Sequence, residues 1–314
     1  MSLSIDQSTF QSGHLARALW LQLWQHYRQR VEYARTYEAM IQSAGGTVAN
    51  DHIAFRSLKL TVQRAHGSID LGIAYLAKIV EALGYQMAGD YHFPDRHLYA
   101  RHYHHPAQAE LELPKLFISE LLVDELPTPL ATQIYDTVKM GQFFSLSCWQ
   151  EQCQVIEDKC VQQLASAFTR PWVPPNRTVV EAVNAVSQYG AWVLLYGYAV
   201  NHFTACINRQ QVYGEIALAA KALAAQGVPM KPSLEGSPAS GLQQTATQAV
   251  VESVPVLNDA GQLEQMPWRY AYYELAQRHR VENAAGEDAL FQGFIGPQAQ
   301  HLFEMTRTEP SPGK

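Results

Sequence analysis

The same order of predicted elements occurs twice along this chain, and the repetition limits its possible folds more than any other feature. Between residues 47 and 123, an alternating strand is followed by a helix and then by three strand-like runs. A similar order begins again near residue 200, and in both halves a histidine on the first strand precedes a glutamate in the last. His52 precedes Glu120 by 68 residues, and His202 precedes Glu274 by 72 residues. The pattern indicates an internal duplication of one β-α-β-β-β unit.

The individual elements are predicted from hydrophobic periodicity and from glycines that end helices. The predicted helices are 14–43, 68–83, 127–167, 178–188 and 214–226, and the predicted strands are 47–58, 85–87, 98–103, 115–123, 200–208, 242–254 and 269–276. These elements divide the chain into a first module with its N-terminal helix (1–126), a helical insertion and linker (127–190), a second module (191–308) and a disordered tail (309–314).

Composition excludes several functional classes. With 314 residues, of which 47% are hydrophobic and 17% charged, the chain is typical of a globular protein with a substantial core. A net charge of −6 provides no basic surface for nucleic acid, no apolar stretch is long enough to span a bilayer, and the N-terminus lacks a signal-peptide pattern. Cys148, Cys153, Cys160 and Cys206 form no C-x-x-C pair and are interpreted as reduced thiols. We therefore expect a cytoplasmic protein that binds neither nucleic acid nor membrane.

Two histidines and one glutamate are the candidate metal ligands. His52, His202 and Glu274 each lie in a short apolar, alternating stretch, and two imidazoles with one carboxylate are the ligand set of mononuclear non-haem Fe(II) sites. A lone histidine in such a segment is more often a hydrogen-bonded core residue than a ligand. A carboxylate in an apolar run needs a cation, a metal or solvent, and Glu120 meets that description as well as Glu274 does. The residues alone leave these alternatives open, and the duplication favours one shared metal site.

Arg56 is the candidate substrate-binding residue. It follows His52 by four positions on the predicted strand, so the two side chains share a face, about 13 Å apart along the backbone at roughly 3.3 Å per residue. An arginine there can bind a carboxylate through two parallel hydrogen bonds. The other interpretation is a pair of half-exposed residues at the rim of a sheet.

A histidine-rich run raises the question of a second metal site. It comprises His102, His104 and His105, with His92 and His97 nearby. We interpret it as an exposed strand end, because no carboxylate or cysteine completes a ligand set. The cysteines at 148, 153 and 160 are interpreted as packing residues.

Eight stretches together carry a family resemblance: DHIAFR (51–56), LGY to YHFP (83–94), FISEL (117–121), NHFT (201–204), LQQTAT (242–247), YYEL (272–275), GF (293–294) and LFE (302–304). With them the chain resembles the 2-oxoadipate dioxygenase/decarboxylase family, also called hydroxyglutarate synthases, within the vicinal-oxygen-chelate superfamily. The resemblance implies an α+β fold in which two β-α-β-β-β modules form a half-open barrel, with added helices. It implies that His52, His202 and Glu274 bind Fe(II), and that Arg56 and Gln244 bind substrate.

The same resemblance implies an O₂-dependent conversion of 2-oxoadipate, or a similar 2-oxo diacid, to 2-hydroxyglutarate and CO₂. Three protein ligands leave three metal positions, which suffice for a bidentate 2-oxo acid and O₂. One alternative is a Zn²⁺ or Ni²⁺ glyoxalase-like isomerase or lyase, because the same ligands bind several divalent metals. A second is a non-catalytic protein that binds a small acid. The best-known bacterial members are considerably longer, so we expect substrate contacts from their extra segments to be absent here.

Overall fold

The computed structural model describes residues 7–65, 67–153, 158–283, 286–296 and 304–306. Within these ranges the α-helices are α1 (Gln7–Arg30), α2 (Glu32–Ser43), α3 (Ile73–Ala82), α4 (Gln108–Leu111), α5 (Thr128–Val138), α6 (Leu146–Gln152), α7 (Asp158–Ala165), α8 (Arg177–Val186), α9 (Gln188–Tyr196) and α10 (Ile216–Ala225). The strands are β1 (Asn50–Lys59), β2 (Thr61–Arg64), β3 (Gly67–Asp70), β4 (Gln86–Phe93), β5 (Leu98–His104), β6 (Lys115–Leu122), β7 (Val200–Cys206), β8 (Glu235–Ser237), β9 (Leu242–Ala246), β10 (Val251–Leu257), β11 (Leu263–Arg269), β12 (Glu274–Arg278), β13 (Arg280–Glu282) and β14 (Asp288–Leu290).

Eight strands form one curled sheet in the order β4-β5-β6-β1-β7-β12-β9-β8. The first four belong to the first module and the last four to the second. At the centre β1 and β7 pair antiparallel, and in each module the first strand pairs parallel with the last, β1 with β6 and β7 with β12. This repeated pairing confirms the predicted α+β fold, with two β-α-β-β-β modules in a half-open barrel.

The helix after the first strand is also repeated. Helices α3 and α10 each contain ten residues. Each ends two residues before a glycine with positive φ, Gly84 at 88° and Gly227 at 83°. Residues with a Cβ rarely adopt this conformation, and glycine commonly ends helices in it. The two modules therefore share their helix stop as well as their strand order.

Helix α1 covers the outer face of the central strands. The Trp20 ring lies 6.2 Å from the Phe55 ring, and the Trp24 ring lies 5.1 Å from the Phe203 ring. Because successive strand residues face opposite sides of a sheet, Phe55 and Phe203 on the outer face leave the neighbouring even-numbered residues of β1 and β7 on the inner face. The aromatic packing of α1 thus fixes which side chains point into the barrel.

The single helix predicted over 14–43 is wrong at its centre, because the helix is interrupted at Val31 and continues as a second helix, α2. Val31 is fully buried and has extended backbone angles, φ −103° and ψ 92°. The Arg35 guanidinium donates to the carbonyl oxygens of Arg28 and Gln29, at 2.7 and 2.9 Å. These bonds satisfy carbonyl groups that a helix end leaves without partners. A side chain therefore stabilises a break that the leucine spacing does not reveal.

Four further predicted elements divide in the structure. The segment 68–83 begins as β3, which forms a hairpin with β2, and only then becomes α3. The segment 127–167 contains three helices, α5, α6 and α7, rather than one. The segments 242–254 and 269–276 are interrupted because β10 and β11 pair with each other in a hairpin outside the main sheet. For the segments that contain strands, the error arises where a pairing partner, rather than local periodicity, decides the element.

The interpretation of all four cysteines as reduced thiols is wrong for two of them. Cys153 and Cys160 form a disulfide between α6 and α7, while Cys148 is exposed and Cys206 is partly buried. The pair was not recognised because its spacing of seven residues matches no common cysteine motif.

The predicted module boundaries stay predictions. Helix α9 crosses the module boundary predicted at residue 191. The tail predicted at 309–314 lies outside the described residues. No helix in the described part of the chain is both long and apolar enough to cross a membrane.

Candidate metal centre

His52 and His202 lie on the two central strands, where the modules meet. In the antiparallel pair of β1 and β7, His52 is opposite Thr204 and Ala54 is opposite His202. Glu274, the first residue of β12, is opposite Thr204 on the other side of β7. The first module therefore contributes one candidate ligand and the second module two, all on the inner face of the sheet.

These three side chains form a compact group. His52 Nε2 lies 3.5 Å from Glu274 Oε1, and His202 Nε2 lies 3.3 Å from Glu274 Oε2. Thr204 Oγ1 contacts His52 Nε2 at 3.0 Å. One potential ligand atom from each of the three lies within 4.8 Å of the others. Atoms bound about 2.0–2.2 Å from one ion are at most about 4.4 Å apart, so the group is close to the size that a single ion requires.

The residue before each histidine orients its ring. Asp51 Oδ2 lies 2.9 Å from His52 Nδ1, and Asn201 Oδ1 lies 3.0 Å from His202 Nδ1. An oxygen acceptor at Nδ1 favours the ring proton there and leaves the Nε2 lone pair for a metal. Asp51 is itself fixed by Arg278, whose Nε and Nη2 lie 2.6 and 2.8 Å from its two carboxylate oxygens.

Burial and unmatched polar atoms show that the group fits a divalent metal. Burial lowers the pKa of both imidazoles, that of His202 well below its ordinary value, and burial raises the pKa of the Glu274 carboxyl well above its own. Neutral imidazole is the form that binds metals. His202 Nε2 and Glu274 Oε2 are buried without a hydrogen-bond partner among the described residues. A cation there supplies both missing partners and favours the charged carboxylate.

Strand register identifies the counterpart of Glu274 in the first module. Glu274 is opposite Thr204, two residues after the module's histidine. The corresponding position on β1 is Ala54, and the residue of β6 opposite it is Phe117. The similar separations of 68 and 72 residues noted in the sequence therefore do not mark equivalent glutamates.

Glu120 lies on the other face of β6. It follows Phe117 by three positions, and an odd offset on a strand reverses the direction of the side chain. Glu120 Oε2 accepts a hydrogen bond from the Ile73 backbone N–H at 2.7 Å, at the start of α3. The structure thus brings Glu274, and not Glu120, to the two histidines.

Arg56 lines the cavity beside the two histidines. Its side chain is buried, with the guanidinium carbon 4.8 Å from the Tyr189 ring centroid and 5.1 Å from that of Trp192. Its Nη1 donates to Thr306 Oγ1 at 2.9 Å. The alternative of a half-exposed rim residue is therefore wrong for Arg56, which is a buried cation held by aromatic faces and a hydroxyl group.

The cavity itself has mainly apolar walls. The Phe294 ring meets the His52 ring edge to face at 4.8 Å, and the Tyr272 ring stacks on the His202 ring at 4.7 Å. Gln244 also lines the cavity, and its Nε2 donates to Glu274 Oε1. The candidate ligands are thus enclosed by aromatic rings and supported by one amide.

Sequence reasoning missed several residues that support the site. Asp51 carried a signal, because a carboxylate or amide residue precedes each candidate histidine. Arg278 carried one too, because it follows Glu274 by the same four positions that separate Arg56 from His52. Thr306 carried none, since it reaches Arg56 across 250 residues of chain.

The histidine-rich run is buried rather than exposed at two of its positions, which corrects the prediction. His102 and His105 are both buried. The His102 ring Nδ1 lies 3.0 Å from the Tyr91 hydroxyl, and His105 Nε2 lies 3.1 Å from the Leu83 carbonyl oxygen. Among the described residues, only His52, His202 and Glu274 form a group of three side chains that can hold a metal.

The fold is a vicinal-oxygen-chelate-like half-open barrel, and its inner face carries a two-histidine, one-carboxylate group suited to a metal. The family model of the 2-oxoadipate dioxygenase/decarboxylases matches residues 19–304. The chain therefore belongs to this family of enzymes.

Individual relatives agree with that assignment. The chloroplastic 2-oxoadipate dioxygenase/decarboxylase of Arabidopsis thaliana is 28% identical over 279 residues, which cover 82% of this chain and 68% of that protein. The fold is similar to that of the Oryza sativa hydroxyglutarate synthase solved with 2-oxoadipate, at a TM-score of 0.75 and 23% identity over 98% of this chain and 95% of that one. It is also similar to the Pseudomonas putida hydroxyglutarate synthase, at a TM-score of 0.64 and 17% identity over 87% of this chain and 67% of that one.

Proposed function

We propose that this protein is an Fe(II)-dependent dioxygenase/decarboxylase that converts 2-oxoadipate, or a similar 2-oxo diacid, to 2-hydroxyglutarate and CO₂. The observation that carries the proposal is a buried group of two histidines and one glutamate beside a cavity that also contains a buried arginine. This ligand set is typical of mononuclear non-haem iron sites that leave three positions open. The name of the Arabidopsis relative and the 2-oxoadipate bound in the rice structure support the substrate class.

The proposed reaction balances with O₂ as the only co-reactant. The bond between the first two carbons of 2-oxoadipate breaks, and the first carbon leaves as CO₂. The former keto carbon becomes a carboxylate that contains one atom of O₂, and the adjacent carbon gains a hydroxyl group that contains the other. Oxidative decarboxylation and hydroxylation each supply two electrons, and these four reduce O₂ completely. Bound iron supplies the chelation of the 2-oxo acid and the activation of O₂.

The protein's own residues bind and orient the substrate. The Arg56 guanidinium binds the distal carboxylate of a diacid, and Thr306 and the Tyr189 ring hold that guanidinium in place. Because only a second carboxylate can pair with this guanidinium, diacids are favoured over pyruvate-like acids. The aromatic walls exclude water from the reacting atoms.

Gln244 has a supporting role in this proposal. Its amide donates to Glu274 Oε1, which keeps the carboxylate turned toward the histidines. Since Gln244 also lines the cavity, its predicted contact with substrate stays part of the proposal.

The test combines metal analysis with oxygen consumption. Protein purified anaerobically is analysed for iron, zinc and nickel, and is then supplied with 2-oxoadipate, 2-oxoglutarate or pyruvate without any second substrate. We expect bound iron, one O₂ consumed and one CO₂ released per diacid, and label from ¹⁸O₂ in both the new hydroxyl group and the new carboxylate. His202→Ala is the control that lacks a ligand.

Two results contradict the proposal in different ways. Equal turnover without oxygen, with zinc or nickel bound, indicates the glyoxalase-like isomerase or lyase. Binding of a small acid by metal-free protein, without turnover under any condition, indicates a non-catalytic binding protein.

A further inference from the structure

A second cleft opens toward the other end of the curled sheet. On β1 it is lined by Asn50 and Asp51, whereas the cavity at the metal centre is lined by His52 and the residues after it. On β6 it is lined by Lys115, whereas the cavity begins at Phe117. The cleft is lined by residues of both modules. It is therefore a separate space that shares the inner face of the barrel with the metal centre.

The charged side chains that line this cleft sum to one positive charge. Its charged side chains are Asp51, Glu112, Lys115, Arg209 and Arg278. Arg278 pairs with Asp51 at 2.6 Å, and Arg209 pairs with Glu112. Lys115 is 3% exposed, and among the described residues Asp51 is the carboxylate whose charge acts on it. That carboxylate already pairs with Arg278. A buried cation that shares its only carboxylate with an arginine is costly, so its position favours an anionic ligand.

Two unused acceptor atoms lie in the same cleft. His104 Nε2 and Asn50 Oδ1 are buried and have no hydrogen-bond partner within the described ranges, and both residues line the cleft. Burial and the nearby charge of Lys115 lower the pKa of His104 to about 4, so its imidazole is neutral at physiological pH. A neutral imidazole nitrogen and an amide oxygen accept hydrogen bonds. The lining therefore suits a ligand with one negative charge and one hydroxyl donor.

We propose that this cleft is a binding site for a small hydroxycarboxylate, distinct from the metal centre. The Lys115 ammonium binds the carboxylate, and His104 Nε2 or Asn50 Oδ1 accepts a hydrogen bond from the hydroxyl group. One carboxylate balances the one excess positive charge. A dicarboxylate or an inorganic phosphate brings an additional negative charge that the paired arginines do not offset.

The probe for this site is lactate, titrated by calorimetry into metal-loaded protein. Loss of a buried charged partner weakens binding by about 30-fold or more, so we expect that decrease for Lys115→Met and a much smaller one for Lys115→Arg. Propionate has the same three-carbon chain as lactate but no hydroxyl group. We expect it to bind about 3- to 10-fold more weakly than lactate, because one neutral hydrogen bond is lost. The matched control is Lys221→Met, which removes an exposed lysine and leaves binding unchanged.

His202→Ala separates the two sites, because that residue lines the metal-centre cavity and not the cleft. We expect this variant to keep the Lys115-dependent binding. The proposal is overturned if Lys115→Met binds lactate as the unchanged protein does, or if His202→Ala abolishes all binding. Equal binding of propionate and lactate overturns the hydroxyl assignment. Because binding and not turnover is measured, failure of the oxygenase reaction does not affect the interpretation.

Discussion

The Arg56 guanidinium is held in position by the protein itself. It lies over the Tyr189 and Trp192 rings and donates to Thr306, and Thr306 in turn donates to Gln188 at 3.3 Å. A planar guanidinium can stack and donate two parallel hydrogen bonds at once, which a lysine ammonium cannot do. A lysine at position 56 would therefore keep the positive charge but not the stacking and the two parallel hydrogen bonds.

We predict that Arg56→Lys impairs substrate use without loss of metal. Lysine keeps the charge but not the paired hydrogen bonds, so kcat/KM for a 2-oxo diacid should fall, by less than the about 2–5 kcal/mol that loss of a whole buried charge pair costs. Iron content should equal that of the unchanged protein, because Arg56 is not a candidate ligand. Arg17→Lys, at an exposed position, is the matched control. Unchanged kinetics in Arg56→Lys would show that another residue binds the distal carboxylate.

Lys115 provides a prediction about stability and pH. Burial is the main cause that lowers the pKa of Lys115 to about 8, from an ordinary value of 10.5. The folded state therefore disfavours the protonated amine, at a cost of about 3 kcal/mol at 1.36 kcal/mol per pKa unit. We expect Lys115→Met to raise the free energy of unfolding by up to this amount at pH 7.

The same variant should lose its advantage in alkaline solution. Between pH 8 and 10.5 the unfolded chain binds more protons at this lysine than the folded protein does, so the unchanged protein gains stability as pH rises. Urea unfolding of both proteins at pH 7 and pH 10, in buffer without carboxylates, measures the difference. The assigned cost of burial would be contradicted if Lys115→Met has a lower free energy of unfolding than the unchanged protein at pH 7 and the difference is the same at pH 10.

At the scale of the elements, strand register decides which glutamate meets the histidines. Glu120 and Glu274 both lie in apolar strands, but Glu120 points to the start of α3 and Glu274 points into the barrel. Local sequence cannot distinguish them, because both strands alternate and both glutamates are buried. The difference arises from how β6 and β12 align with their neighbours.

The matched pair Glu120→Gln and Glu274→Gln tests this register. Glutamine at 120 can still accept the hydrogen bond from the Ile73 N–H, so we expect normal metal content and folding. Glutamine at 274 removes the only carboxylate of the group, so we expect metal to be lost on desalting. Metal content after anaerobic purification is the measurement. Loss of metal from the Glu120 variant alone would reverse the assignment.

At the scale of the whole molecule, the metal group connects the two modules. His52 belongs to the first, while His202 and Glu274 belong to the second. A ligand that binds only the folded state stabilises it by about 4 kcal/mol at a concentration 1,000 times its Kd. A metal at this position should therefore stabilise the fold as a unit rather than one half of it.

We predict that chelation of the metal lowers the thermal midpoint by several degrees and that added Fe(II) restores it. His202→Ala should melt at the same temperature with and without chelator, because it lacks one of the three ligands. Differential scanning calorimetry under anaerobic conditions measures both. A chelator-dependent shift of equal size in His202→Ala would place the stabilising metal elsewhere.

The cytoplasmic location expected from the sequence also stays a prediction, which cell fractionation checks.

Much of the architecture could be predicted because alternation and helical periodicity are properties of neighbouring residues. The repeated order of elements indicated two modules, and the shared strand face predicted for His52 and Arg56 agrees with the cavity that both residues line. Predictions were wrong where a side-chain hydrogen bond or a strand pairing, rather than periodicity, decided the structure. Arg35 stabilises the break at Val31, and the pairing of β10 with β11 interrupts two predicted strands.

For the candidate site, the sequence by itself determined which residue types are present and which of them share a strand face. Only the tertiary structure decided which of them meet. Arg56 reaches Thr306 across 250 residues, and Asp51 reaches Arg278 across 227. Such contacts depend on the order and register of all eight strands, and these are fixed by the simultaneous packing of side chains from the whole chain. No local segment contains that information, which is why the histidines could be named as candidates from the sequence while their contacts with Asp51, Phe294 and Tyr272 could not.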